Sequence, residues 1–194
     1  GRTRVEFNKF LESFNPEEKN EEENFYRLGW CRVKDDEPVE GSQAVKKYDK
    51  LMVLGKPGAG KTTFLKYLAI KCNKGDFLKS HVPVFIPLKQ FAETELDNQT
   101  QPGLLDYICQ SLHGREVVEN QSKAEQLLKA GRVFVLLDGL DEVREEDGNR
   151  IIKEIRDFSR KFSSSQFVIT CRIAAKEYTF EQFTEVEVAD FADE

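Results

Sequence analysis

Paired cysteines, histidines and basic residues in excess are all missing from these 194 residues, and each gap removes a class of function. The four cysteines, Cys31, Cys72, Cys109 and Cys171, are spaced too widely for any CxxC pair, and His81 and His113 are the only histidines. Neither a zinc site nor a disulfide framework is expected, and the thiols read as reduced and intracellular. No apolar run approaches the ~20 residues of a bilayer span, and the N-terminal residues lack the basic and apolar segments of a signal peptide. Lys and Arg number 29 against 35 Asp and Glu, a net charge of −6. No global field therefore draws the chain to nucleic acid or to an anionic membrane. The chain reads as cytoplasmic.

What is present suffices for one main domain, since 39% of the residues are hydrophobic and domains run to roughly 100 to 200 residues. Residues 1–45 read as a helical and linker segment. Phe7, Phe10, Leu11 and Phe14 fall at i, i+3, i+4 and i+7, an amphipathic helix, and NPEEKNEEEN at 15–24 reads as a solvated helix or linker. Over 46–194 short apolar strands alternate with helices. LMVL (51–54) precedes a helix face of Phe64, Leu65, Leu68, Ala69 and Cys72. VPVFIPL (82–88) is strand-like, but Pro83 and Pro87 each remove a ladder donor, which assigns it to an edge. Leu104, Leu105, Ile108 and Leu112 mark a helix, and another ends at Gly131. VFVLL (133–137) is continuously apolar, as a strand covered on both faces must be. Ile151, Ile152, Ile155, Phe158 and Phe162 line a further helix, followed by strands FVIT (167–170) and VEV (186–188). The order predicts an α/β fold with a parallel sheet of about five strands.

The chemistry begins at GKPGAGKTT, the run Gly55, Lys56, Pro57, Gly58, Ala59, Gly60, Lys61, Thr62 and Thr63. It fits G-x-x-x-x-G-K-[ST], between a strand and an amphipathic helix as a phosphate-binding loop must be. Glycines let the backbone curl so that successive N–H groups point at phosphate oxygens, and the following helix turns its positive end to the same place. Lys61 would reach the β- and γ-phosphates, and the Thr62 hydroxyl would ligate Mg²⁺. The blander reading is a Gly-rich turn with an exposed lysine.

A second signal lies in VLLDGLDE (135–142), where three acids crowd the end of an apolar strand. Asp138 is placed to hold Mg²⁺ opposite Thr62, usually through water. Gly139 keeps the turn small, Leu140 can anchor it in the core, and Asp141 or Glu142 can polarise an attacking water. The alternative for that pair is decoration of a helix N-terminus. Glu145, Glu146 and Asp147 read as a solvated loop.

These two motifs together resemble the NACHT branch of the STAND class of P-loop NTPases; VPVFIPLKQFAE and VITCR resemble its second-strand and sensor segments. The resemblance covers residues 50–190. It implies a three-layer P-loop NTPase sandwich in which the strand ending near Thr170 lies between the loop strand and the Asp138 strand. It further implies that Arg172 serves as a sensor arginine beside the γ-phosphate, and that residues 25–31 with Arg32 line the adenine, although Trp30 would serve equally as an edge-packed core aromatic. Cys171 replaces the family's serine, and no proline follows Arg172. The implied function is an ATP/ADP-binding, slowly hydrolysing signalling switch, with ADP in the resting form and a homo-oligomer in the ATP form, of the innate-immunity or anti-phage type. The spelling GKPGAGKTTFLK is closest to prokaryotic members. The chain starts at Gly1 and stops where relatives continue into helical and winged-helix domains, so it reads as an excised piece whose partners include those downstream domains of its own chain.

Three rivals stand beside this reading. NKGD (73–76) spells a guanine-reading motif, but it comes before Asp138 and at a helix end, where Asn73 and Gly75 serve as terminators. A small-metabolite kinase would not need the paired acids after Asp138. A non-hydrolysing, ADP-bound scaffold would share every motif.

Overall fold

The computed structural model describes residues 30–33, 38–94, 101–113, 117–173 and 180–188. The helix expected at 7–14, the acidic segment at 15–24 and the first part of the adenine-lining stretch lie outside them. Strands β3 (Lys50–Gly55), β5 (Val133–Asp138) and β6 (Gln166–Arg172) run side by side in the sheet interior, with β6 between the other two. Nearly all their residues are buried, which is why their sequences are continuously apolar and not alternating. Strand β4 (Val82–Pro87) forms the edge beyond β5, where the missing donors of Pro83 and Pro87 break no ladder. Strand β7 (Thr184–Val188) flanks β3, and all five are parallel, as the sequence leads one to expect.

Two further strands extend the sheet. β1 (Trp30–Val33) pairs antiparallel with β7, and β2 (Pro38–Glu40) pairs antiparallel with β1. With four and three residues, they are too short to show a period-two pattern.

Helices cover both faces, giving the three layers of a P-loop NTPase sandwich. Helices α1 (Gly41–Lys47) and α2 (Lys61–Asn73) pack Val45, Phe64, Leu65 and Leu68 against Leu51, Val53, Phe134, Leu136 and Val168. On the opposite face α3 (Leu88–Ala92), α4 (Leu104–His113), α5 (Val117–Lys129) and α6 (Glu145–Lys161) enclose Met52, Leu54, Val135, Leu137, Phe167 and Ile169. Consecutive residues of β3 and β5 thus enter opposite cores, each fully buried large side chain contributing about 1.5–3 kcal/mol.

The helix ends obey local chemistry. Helix α2 stops at Asn73, and Gly75 at φ 76° lets Asp76 N–H donate back to Lys71 O at 3.0 Å; NKGD is a helix terminus here. Gly131 closes α5 at φ 66°, and a Cβ there would meet the Ser164 carbonyl oxygen at 2.6 Å. Glu145, Glu146 and Asp147 are not a loop: they form the first turn of α6, where the helix dipole favours acids.

Candidate functional site

The parallel register brings the candidate residues to one end of the sheet. Gly55 at the end of β3 pairs with Arg172 at the end of β6, and the Leu137–Ile169 pairing sets Asp138 beside Thr170. A cleft of about 320 Å³ opens there between the loop Pro57 to Thr63 and the ends of β5 and β6.

The loop is built to receive an anion. Gly58 and Gly60 take φ 77° and 78°, values that glycine alone adopts freely, and a side chain at Gly58 would meet nothing within 4 Å. Helix α2 begins on Gly60 with no side-chain cap and no acid in its first turn. Its first N–H groups thus lack both an intrahelical partner and a capping oxygen. Lys61 Nζ donates to the carbonyls of Gly55 and Lys56 at 2.9 and 3.0 Å. These are neutral acceptors; among the described residues no carboxylate forms an ion pair with Lys61.

The metal candidates meet. Thr62 Oγ1 donates to Asp138 Oδ1 at 3.1 Å across 76 residues of sequence. A hydroxyl and a carboxylate side by side are hard oxygen donors of the kind Mg²⁺ would take, directly or through water. Hydroxyl, carboxylate, ammonium and unpaired helix N–H groups form a donor set that fits a Mg²⁺-bound polyphosphate.

Asp141 and Arg172 also meet, but with each other. Asp141 Oδ1 accepts the Arg172 backbone N–H at 2.9 Å and Oδ2 lies 2.8 Å from Arg172 Nε. Both acid oxygens are thus engaged; the Asp141 side chain is 8% exposed and that of Arg172 52%, and among the described residues no acceptor engages the two Nη groups of Arg172, which lines the cleft. Glu142 is exposed, and its side chain folds over Gly139, where a Cβ would stand 3.0 Å from Glu142 Cδ. Gly139 sits at φ 75°, and Leu140 beside it is buried at 2% in the core, the anchor expected of it.

Cys171, the residue departing from the family spelling, points away from the cleft into the core beneath α3–α6. Burial, with the Asp141 charge second, pushes its thiol up to about 11. Thr170 was missed by the sequence reading. Its hydroxyl lies between Asp138 Oδ1 at 2.7 Å and the Gly139 N–H at 2.8 Å. The only available signal was a polar β-branched residue at the end of a buried strand, which is also an ordinary strand residue.

A family model of the NACHT domain matches residues 49–194. No curated protein matches the chain. Among solved structures, that of C. elegans PCH-2 is similar over 78% of this chain at 16% identity and a TM-score of 0.36; the chain spans 40% of its length.

Proposed function

From the premise that this chain belongs to the NACHT family, a family of P-loop NTPases, we propose that it binds ATP or ADP with Mg²⁺ in the cleft and hydrolyses ATP slowly, as the core of a cytoplasmic signalling switch. The observation that carries this reading is the 3.1 Å contact of Thr62 with Asp138. It joins the end of the glycine loop to the end of the apolar strand, the two places from which a metal–triphosphate is held.

The residues divide the work. The N–H groups of Gly58 to Thr63 and the Lys61 ammonium bind the phosphates through charge-assisted hydrogen bonds. Thr62 and Asp138 would hold Mg²⁺, which when bound draws charge from the phosphate oxygens and orients them. Arg172, gripped at Nε by Asp141, offers its Nη groups to the terminal phosphate. With both its oxygens so engaged, Asp141 acts as the positioning residue of that arginine, and exposed Glu142 is the acid left to polarise the attacking water. Immune or anti-phage signalling, an ADP-held resting form and assembly of copies in the ATP form are what the family resemblance implies. A second copy could complete the site, and hydrolysis by this chain alone is expected to be slow.

Thermal melting of Lys61→Ala against the parent protein tests this reading. ADP with Mg²⁺ at 100 times its Kd should stabilise the parent by about 2.7 kcal/mol, a shift of about 5–10 °C for a chain of this size. The variant should melt as the parent does without nucleotide and gain almost nothing with it. Equal shifts in both proteins refute the site. In competition for the same cleft, ATP or ADP should outcompete GTP at least about tenfold, or 1.4 kcal/mol, and Asp76→Ala should leave that ratio unchanged.

A further inference from the structure

Thr170 is one of four buried polar residues among the described residues, 1% exposed, and the roles assigned above do not use it. We infer that Thr170 is a positioning residue for the cation: through Asp138 it fixes the direction in which the Thr62 hydroxyl presents its lone pairs. The inference rests on the Mg²⁺–nucleotide reading of the cleft.

The argument is a count of protons. The Gly139 N–H donates to Thr170 Oγ1 at 2.8 Å, so a lone pair of that oxygen faces the amide, and its single proton is left for Asp138 Oδ1 at 2.7 Å. Thr62 Oγ1 approaches the same oxygen at 3.1 Å. An ionised carboxylate only accepts, so the Thr62 proton also points at Oδ1, and its lone pairs face away from Asp138, toward a cation. Among the described residues no donor engages the other oxygen, Oδ2. Backbone amide and Thr170 hydroxyl thus donate in succession toward Asp138, and the Thr62 hydroxyl donates to the same oxygen from the other side. The starting point of that succession is rigid: Gly139 is buried at φ 75°, and Thr170 is held in register between β3 and β5. Cys171 cannot substitute, because it faces the opposite core.

Valine matches threonine in shape but supplies no hydroxyl. Thr170→Val would leave the buried Gly139 N–H unpaired and release Asp138 to rotate. Loss of an outer partner of a metal ligand lowers metal affinity about 10–100-fold. The test is calorimetric titration of ADP into the chain, first in EDTA and then at stepped Mg²⁺ concentrations. For Thr170→Val the Mg²⁺ concentration giving half the affinity gain should rise about tenfold or more, with ADP affinity in EDTA within about twofold of the parent. Thr170→Ser, which restores the hydroxyl, should return the Mg²⁺ midpoint to within about twofold. Where the valine variant does not fold, Thr170→Ala carries the same expectation. A valine or alanine variant with the parent's Mg²⁺ midpoint overturns the inference and leaves the nucleotide site standing. So does an equal loss of affinity with and without Mg²⁺, which is the mark of a packing role. A parent protein whose ADP affinity ignores Mg²⁺ overturns this inference together with the reading it rests on.

Discussion

The two ends of the parallel sheet use the same residue types to opposite purposes. At the N-terminal end Gly131 is left-handed, buried Ser165 donates to Leu128 O at 2.7 Å, buried Gln166 donates to Val45 O, and Phe167 N–H donates to Asp49 O at 2.8 Å. Each of these three donors is matched by a backbone carbonyl of the same chain, and none of the three is charged. At the C-terminal end Gly58, Gly60 and Gly139 are left-handed too, and Thr170 is as buried as Ser165. There, however, a lysine rests on neutral carbonyls, a helix begins without a cap, and a carboxylate is held by hydroxyls. Neither glycine nor buried hydroxyl marks the functional end. The mark is that the charged side chains of Lys61, Asp138, Asp141, Glu142 and Arg172 line one cleft.

The contrast predicts that substitutions at the C-terminal end change chemistry with the fold intact, whereas those at the N-terminal end change stability with the chemistry intact. The largest effect belongs to Glu142→Gln. In single-turnover assays with protein in excess over labelled ATP, removing a group that polarises water should slow hydrolysis about 10²- to 10⁴-fold, a barrier increase of about 2.7–5.5 kcal/mol. Nucleotide affinity should be retained. Asp141→Asn should also slow hydrolysis, but by releasing Arg172, and Arg172→Ala should add little to it because the two act as a unit. Parent-like hydrolysis in both Glu142→Gln and Asp141→Asn would reduce these acids to helix-end decoration.

Next in size is Gly131→Ala at the other end. The added methyl would sit 2.6 Å from the Ser164 carbonyl oxygen in a left-handed conformation. A cost of roughly 3 kcal/mol, or about 6–12 °C in melting temperature, is expected, while the increment gained on adding Mg²⁺ and ADP stays that of the parent. A variant that melts normally but has lost the nucleotide increment would erase the distinction between the ends.

The smallest effect is one of pH. Burial pushes the Cys72 and Cys171 thiols from 9.0 up to about 11. Both stay neutral in the fold where the unfolded chain would ionise, so their contribution to stability is complete below pH 9 and is lost as pH rises toward 11. At pH 10 the loss is about 1.4 kcal/mol for each thiol, and Cys171→Ala should remove part of the slope. Denaturant midpoints that hold level to pH 11 would show that these thiols ionise alike in both states.

How much of this was legible in the sequence follows from how local each feature is. The glycine loop, its strand and its helix are contiguous, and their spacing alone singled out Lys61 and Thr62 as candidates. Asp138 was legible because a carboxylate ending VFVLL has few other reasons to stand there. The edge position of β4 followed from Pro83 and Pro87. By contrast, Thr170 and the Asp141–Arg172 pair owe their contacts to partners 32 and 31 residues away in β5, β6 and the turn after β5. Only the register of adjacent strands creates those contacts, and no periodicity within one segment encodes it. The acids at 145–147 misled because charge density alone does not separate a loop from the first turn of a helix.

Pro83 and Pro87 have a last consequence, for association between molecules. They lie four residues apart, hence on the same side of β4, and the ladder to β5 occupies the other side. The outward rim of β4 therefore lacks the amide donors of residues 83 and 87, which a neighbouring strand would seek. An exposed strand edge is otherwise a template on which copies stack into indefinite ribbons. Here main-chain pairing at that edge is interrupted at two of its donors, so the β4 rim is a poor template for such stacking.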